Sequence, residues 1–414
     1  MIYQSIRNCR ICKSSSLKKI LDLKNQPSSN ALRKNLKDKE YKIPLILLFC
    51  KKCHTAQLSA TANPKYLFNH YVWVTETSKS AKEYSNLFFN RVIKKTIINS
   101  FIVEIASNDG TFLKPFKKTG RKVLGVDPAK NIAKIANQKG IRTMPEFFNY
   151  KCAKKIIKKN SKADIVFARN VIPHVKDLHS IVKGIGTILS NKGTAIIEFH
   201  YAKIIQDELH YDSIYHEHLF YFTIKTLTNL FKKYDLYAFD VDKSPISGGS
   251  LVLYFSRNKL KMKDKLKKLI RIENNKKINK LATWKRFANK SKQHSKKFNT
   301  IIKKLKASHK LIGYGASARS STLLNFSGIS NKLMDKIIDK NKLKKNKYTP
   351  GSGIKIIDYD EIIRNISKFS SVIILAWNFR KEIIEDLGKK GFKGNFLLPL
   401  PKQVKLYENK KVKI

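Results

Sequence analysis

Between Phe101 and Phe199 the chain alternates short apolar runs with longer amphipathic ones. Phe101–Ile105, Lys122–Val126, Asp164–Phe167 and Thr194–Phe199 are rich in Val, Ile and Phe, the composition of strands buried on both faces. Thr111–Thr119, Asn131–Lys139, Lys151–Asn160 and Leu178–Leu189 carry apolar residues three and four apart, which predicts helices. Strand and helix in alternation predict an α/β fold, a parallel sheet with helices on both faces. Ser78–Asn99 leads in as a helix with Leu87, Phe88 and Val92 on one side, and Leu236–Val241 and Ser250–Phe255 read as added antiparallel edge strands. This unit spans about 76–256.

The pattern changes on either side. Residues 257–306 are Lys-rich with sparse apolar positions (Leu266, Leu269, Ile278, Leu281, Trp284, Phe287), and read as a solvated helical connector. From 307 to 414 the alternation restarts. Lys310–Gly313 is a strand into a Gly-rich turn, Ala316–Asn325 a helix, and Asp335–Asp339 and Ser371–Ala376 further strands. That predicts a second, smaller Rossmann-like unit. Residues 1–75 form a separate first unit organised around cysteines.

Composition narrows the function classes. The apolar fraction of 42% supplies real cores, while runs such as Ile43–Phe49 and Val372–Trp377 fall far short of the roughly 20 residues of a membrane span. The start, Met1-Ile2-Tyr3-Gln4-Ser5, lacks the basic and apolar regions of a secretory signal, so a cytoplasmic protein is expected. The net charge of +55 invites a nucleic-acid reading. However, only 13 of the 85 basic residues are Arg, and the Lys are dispersed along the whole chain. Nucleic-acid readers concentrate charge and use Arg for bidentate contacts. The expectation is therefore a small-molecule partner, no specific nucleic acid, no membrane, and a monomer or small homo-oligomer.

Four of the five cysteines form two CxxC pairs, Cys9/Cys12 and Cys50/Cys53, separated by 37 residues. Two such turns complete a tetrahedral thiolate site, which predicts a structural Zn²⁺ with no open position for catalysis. Cys152 stands alone and reads as a small core residue.

The sequence Ile102-Val103-Glu104-Ile105-Ala106-Ser107-Asn108-Asp109-Gly110-Thr111 runs an apolar strand into a tight polar turn and a helix. In a doubly wound sheet a ligand sits beside such a turn. Gly110 permits close backbone approach, and Glu104 or Asp109 offers a carboxylate to an amino group. Asp127 ends the next strand, 17 residues beyond Gly110, where an acidic residue accepts both ribose hydroxyls of an adenosine. S-adenosylmethionine and NAD both fit that description.

Co-linear segments in all three units resemble the sugar C-methyltransferase family, which methylates nucleotide-linked deoxysugars, and the resemblance covers nearly the whole chain. The four-cysteine unit looks like that family's zinc domain. Glu104–Leu113 with Gly125-Val126-Asp127-Pro128-Ala129-Lys130-Asn131 looks like its cofactor signature. Tyr215-His216-Glu217-His218-Leu219-Phe220-Tyr221-Phe222-Thr223 looks like its catalytic segment, and Gly313-Tyr314-Gly315-Ala316-Ser317-Ala318-Arg319 with Ala376-Trp377-Asn378 like its C-terminal domain. The resemblance implies a class I methyltransferase Rossmann-like centre between a zinc-binding domain and a C-terminal Rossmann-like α/β domain. It implies S-adenosylmethionine held by Glu104, Ala106, Ser107, Asn108, Asp109, Gly110, Asp127, Pro128 and Asn170. It further implies a dTDP-linked 4-keto-deoxysugar as substrate, with His218 as base, Glu217 as its partner, Tyr215 stabilising or relaying, and His174 and Tyr71 facing the sugar.

Carbon methylation suits those groups. A ketone acidifies the neighbouring C–H, a base removes the proton, and the enolate carbon attacks the sulfonium methyl. Two other readings stay open: methylation of a sugar hydroxyl or another small acceptor, and a zinc-ribbon nucleic-acid-binding protein. The Gly313–Ala316 turn, with Arg319 nearby, either seats a diphosphate or belongs to a duplicated fold that closes over the cleft.

Overall fold

Alternate residues of the segment Lys42–Cys50 are buried, with Ile43, Leu45, Leu47 and Phe49 on one side. That two-residue period makes it a strand with a single core face. The computed structural model describes residues 2–63, 74–308 and 310–407. In its N-terminal unit β1 (Tyr3–Ser5) pairs with β5 (Ala60–Ala62), and β2 (Leu17–Pro27), β3 (Lys42–Cys50) and β4 (Ala56–Leu58) form an antiparallel sheet.

The central unit contains β6 (Phe101–Ile105), β7 (Lys122–Val126), β8 (Thr143–Met144), β9 (Ala163–Arg169), β10 (Leu189–His200), β12 (Tyr237–Ser244) and β13 (Ser250–Ser256). Their order is β12-β13-β10-β9-β6-β7-β8, with β13 antiparallel to both neighbours and the other pairs parallel. This is the strand order of a class I methyltransferase. All five residues of β6 are buried, the four apolar ones as a central strand requires and Glu104 among them. The last two strands differ from expectation: β13 lies inside the sheet, and only β12 forms the edge. Helices α1 (Lys79–Val92), α2 (Lys114–Lys118), α3 (Lys130–Gln138), α4 (Tyr150–Lys159), α5 (Leu178–Ile188), α6 (Ala202–Asp207) and α7 (Ile224–Lys232) connect the strands. α2 is shorter than predicted because the Asp109 carboxylate takes the Thr111 amide and hydroxyl into a turn.

A two-residue strand, β11 (Phe220–Tyr221), leaves the central unit and pairs with β4, completing the N-terminal sheet. The Lys-rich stretch is helical, as α8 (Asp264–Asn275) and α9 (Leu281–Ser308), but it is not simply solvated. α9 buries Trp284, Phe287, Ala288, Ser291, Phe298 and Ile302 along one face, while Lys285, Lys290, Lys292, Lys296 and Lys297 point outward. Aromatic residues three apart outweigh the Lys around them, because Lys occupies only the exposed positions.

The C-terminal unit comprises β14 (Leu311–Tyr314), α10 (Ala318–Ser327), β15 (Lys336–Asp339), β16 (Lys355–Asp358), α11 (Tyr359–Ile362), β17 (Ser371–Ile374), α12 (Arg380–Lys389), β18 (Asn395–Leu398) and β19 (Lys405–Tyr407). Its order is β16-β15-β14-β17-β18-β19, parallel except for β19. One apolar cluster runs from Cys9 to Leu400 through all three units. Among the described residues, no helix is long and apolar enough to cross a membrane.

Candidate active site

β6 lies between β7 and β9, so the connections leaving β6 and β9 diverge at its carboxyl end and open a crevice there. The loop after β6 lines it. Ala106, Asn108 and Gly110 adopt φ values of 56°, 50° and 78°, and a side chain on Gly110 would meet Ile141 at 2.8 Å. The Asp127 carboxylate accepts the Asn108 amide at 2.8 Å and, across Pro128, the Ala129 amide at 2.9 Å. One oxygen takes each bond, so each keeps a lone pair for a ribose hydroxyl.

The two candidates for an amino group differ. Asp109 is already occupied by Thr111, the Glu76 amide and the Lys139 ammonium. Glu104 is only 2% exposed, and its Oε2 has no partner among the described residues. Burial holds its carboxyl well above the usual range. An ammonium brought against Glu104 relieves both deficits, so the residues present fit the amino-acid end of S-adenosylmethionine. The Ser107 hydroxyl is likewise buried without a partner. Asn170 follows β9 at φ 50°, its amide bonded to the Glu198 carbonyl at 2.8 Å, beside a buried Arg169–Glu198 ion pair of 3.0 Å.

The second cluster comes from two segments. His174 ends a short 3₁₀ turn after β9, and Tyr215 and His218 sit in a tight turn closed by the His218 amide on the Tyr215 carbonyl. The His218 Nδ1 lies 2.9 Å from the Ser213 carbonyl and its Nε2 lies 2.7 Å from the Tyr215 hydroxyl. A carbonyl only accepts, so Nδ1 carries the hydrogen, and Nε2 accepts from the tyrosine. The His174 ring meets His218 edge to face at 4.7 Å. Burial pushes the His174 imidazole down to about 4 and His218 well below its usual value, so both are neutral at pH 7.

Glu217 is not the partner of His218. Its carboxylate turns away to the N-terminal unit and accepts the Asn30 amide at 2.5 Å. Glu217 sits at the corner of the turn that brings Tyr215 and His218 together, and its side chain leaves that turn toward the N-terminal unit. Burial pushes Glu217 up to about 7. The Ser213 carbonyl orients His218 in its place. A backbone acceptor leaves no residue-type signal, whereas Asn30 is a polar residue that sequence reading passed over. Tyr71 lies outside the described residues.

Each CxxC turn ends on a residue in the left-handed region, Lys13 at φ 60° and His54 at φ 61°, and the two turns face each other. Cys9 and Cys53 Sγ lie 3.6 Å apart, Cys12 and Cys50 3.5 Å, and all four fall within 4.8 Å. A tetrahedral Zn²⁺ with bonds of about 2.3 Å needs edges of about 3.8 Å, so the donor set fits. Gln57 donates to Cys9 Sγ at 3.0 Å. Among the described residues no other group of His, Cys, Asp or Glu gathers as a metal site, and His216 is turned onto the Ile43 carbonyl.

The C-terminal turn is internally satisfied. Asp339 accepts the Ala316 amide at 2.9 Å and the Lys344 ammonium at 3.0 Å, and Arg319 reaches into the central unit, to Asp212.

Comparison with known proteins gives three family models in chain order. These are a zinc-binding domain over residues 9–68, a methyltransferase domain over 83–240 and a C-methyltransferase C-terminal domain over 245–401. C-methyltransferase NovU of Streptomyces niveus is 26% identical over 410 residues, covering 97% of both chains. Among solved structures, a methyltransferase of Thermotoga maritima is 18% identical and covers 43% of this chain and 91% of its own, with a TM-score of 0.33. The PH0226 protein of Pyrococcus horikoshii is 15% identical and covers 47% and 95%, with a TM-score of 0.37.

Proposed function

The chain is a SAM-dependent methyltransferase with the three-part build of the sugar C-methyltransferases, and from that premise we propose that it methylates carbon next to the ketone of a nucleotide-linked, dTDP-type 4-keto-deoxysugar. The observation that carries this reading is the Tyr215 hydroxyl bonded to the free lone pair of a neutral, buried His218. S-adenosylmethionine, held by Glu104, Asp127 and the Ala106–Gly110 loop, supplies a methyl group on positive sulfur. The protein's remaining task is to make a carbon nucleophile.

The Tyr215 oxygen takes the C–H proton while its own proton passes to His218 Nε2. The electron pair moves onto the ketone oxygen, leaving an enolate and an imidazolium. The Ser213 carbonyl, already bonded to Nδ1–H, stabilises that imidazolium. His174, its N–H turned to the Asn170 carbonyl, packs edge to face on His218 and holds that ring in place. Base catalysis of this kind contributes typically 10²–10⁴-fold. The same base also serves a hydroxyl acceptor, so the product distinguishes the two reactions. In D₂O the enzyme should place deuterium on the carbon beside the ketone and yield a C-methyl product by NMR. A methoxy product formed without exchange would falsify carbon alkylation.

A further inference from the structure

The loop that presents Tyr215 and His218 is gripped from the C-terminal unit. Asp212 is fully buried. Arg319, at the start of α10, holds both of its oxygens, with Nε at 3.0 Å and Nη2 at 2.8 Å. Trp377, just after β17, donates its indole N–H to the same carboxylate at 2.8 Å, and its ring lies 4.5 Å from the guanidinium. Thr322, also on α10, donates to the Ile214 carbonyl at 3.1 Å. Ser213 is fixed between those two anchored residues, and its carbonyl is the acceptor for His218 Nδ1. Among the described residues, the other ionisable groups packed here include His200 and His210, which contact each other at 3.3 Å with the His210 ring 4.6 Å from Trp377, and Tyr211, whose hydroxyl bonds His294 at 2.9 Å.

We propose that the C-terminal unit is a positioning device for the base: Arg319 and Trp377 lock Asp212, and the locked Asp212–Ile214 backbone sets the tautomer and orientation of His218. A bidentate fork fixes a carboxylate in direction as well as distance. The Ser213 carbonyl is one peptide away and follows Asp212. Which imidazole nitrogen keeps its hydrogen depends on the bond made by the other. A carbonyl displaced from Nδ1 lets the hydrogen move to Nε2, where it removes the lone pair needed for proton transfer. This explains why Arg319 is turned away from the C-terminal turn, and it rests on His218 as the base.

The test uses ¹⁵N-histidine-labelled full-length protein, with the His218 signals assigned by their loss in His218→Ala. Arg319→Gln and Trp377→Phe should lower the Nδ1–H fraction of His218 and cut kcat at least tenfold, leaving S-adenosylhomocysteine affinity within twofold. Arg319→Lys should restore part of both. Folded Arg319→Gln or Trp377→Phe protein with an unchanged His218 tautomer overturns the proposal. Should Arg319→Gln not fold, Trp377→Phe removes one donor and keeps a ring beneath the guanidinium. The tautomer measurement needs no substrate. Full turnover by His218→Ala therefore overturns the catalytic reading by itself.

Discussion

Asp127 and His218 both carry buried polar bonds, but the proposed function assigns them different ligands. His218→Ala should abolish turnover by about 10²–10⁴-fold with S-adenosylhomocysteine affinity nearly intact. Asp127→Ala removes a charged acceptor worth about 1.5–3 kcal/mol per bond, so cofactor affinity should fall about tenfold or more by calorimetry. Equal losses of affinity in the two variants would undo this division. At this scale, legibility follows distance along the chain. The Glu104–Gly110 turn and Asp127 were readable because strand, turn and helix are consecutive. The partner of Glu217 was not, because Asn30 lies 187 residues away and enters through another unit. Nor was the Asp212 lock, whose indole donor is 165 residues distant.

Among the elements, β6 and β7 have the bounds their apolar runs predict, since Val, Ile, Leu and Phe fill most positions of a central strand. The placement of β13 between β10 and β12 leaves no such mark, because an inserted strand and an edge strand share one composition. β11 is two residues long and has no period to detect, but it links the cysteine site to the segment of Tyr215 and His218. The Leu58 amide bonds the Leu219 carbonyl at 3.0 Å, and the Leu219 amide bonds the Pro173 carbonyl at 2.8 Å. Cys53 stands five residues before Leu58, and Arg10, between the first two cysteines, bonds the Leu58 carbonyl. Zinc removal should therefore speed hydrogen exchange at Leu58 and Leu219 well before the amides of β6 respond. Unchanged protection at Leu58 after loss of the metal, measured by mass spectrometry, would separate the two sites.

For the whole molecule, the dispersed Lys stay on exposed faces such as that of α9, while the interior holds neutral imidazoles. Burial lowers His174, His200, His210 and His218. Below pH 6.5 the unfolded chain binds protons that the folded one refuses, so stability is lost as pH falls from 6.5, down to about 4 for His174. That one residue represents about 3 kcal/mol at the lower end. Glu217 acts in the opposite sense: raised to about 7, it favours the folded state as pH falls from there toward 4.5. Burial also lowers His54, His216 and His294 and raises the carboxyls of Glu104, Asp127 and Glu273, so seven imidazoles stand against four carboxyls, and Tm should fall between pH 6.5 and 4.5. A scan that stays level or rises would contradict this, and His174→Phe should flatten the slope.

The segment from Asp212 to Tyr221 belongs to the central unit and is held by both of the others: Arg319, Thr322 and Trp377 at its start, Ile43 and Asn30 in its middle, β4 at its end. Such a segment behaves as a keystone, and it constrains inheritance. A terminal unit exchanged for that of a divergent relative brings a foreign surface to the loop of Tyr215 and His218. Asp212 must then be matched with its cation and indole, and Glu217 with its amide. Acceptor range in this architecture therefore diversifies by coordinated substitution across three units rather than by shuffling them.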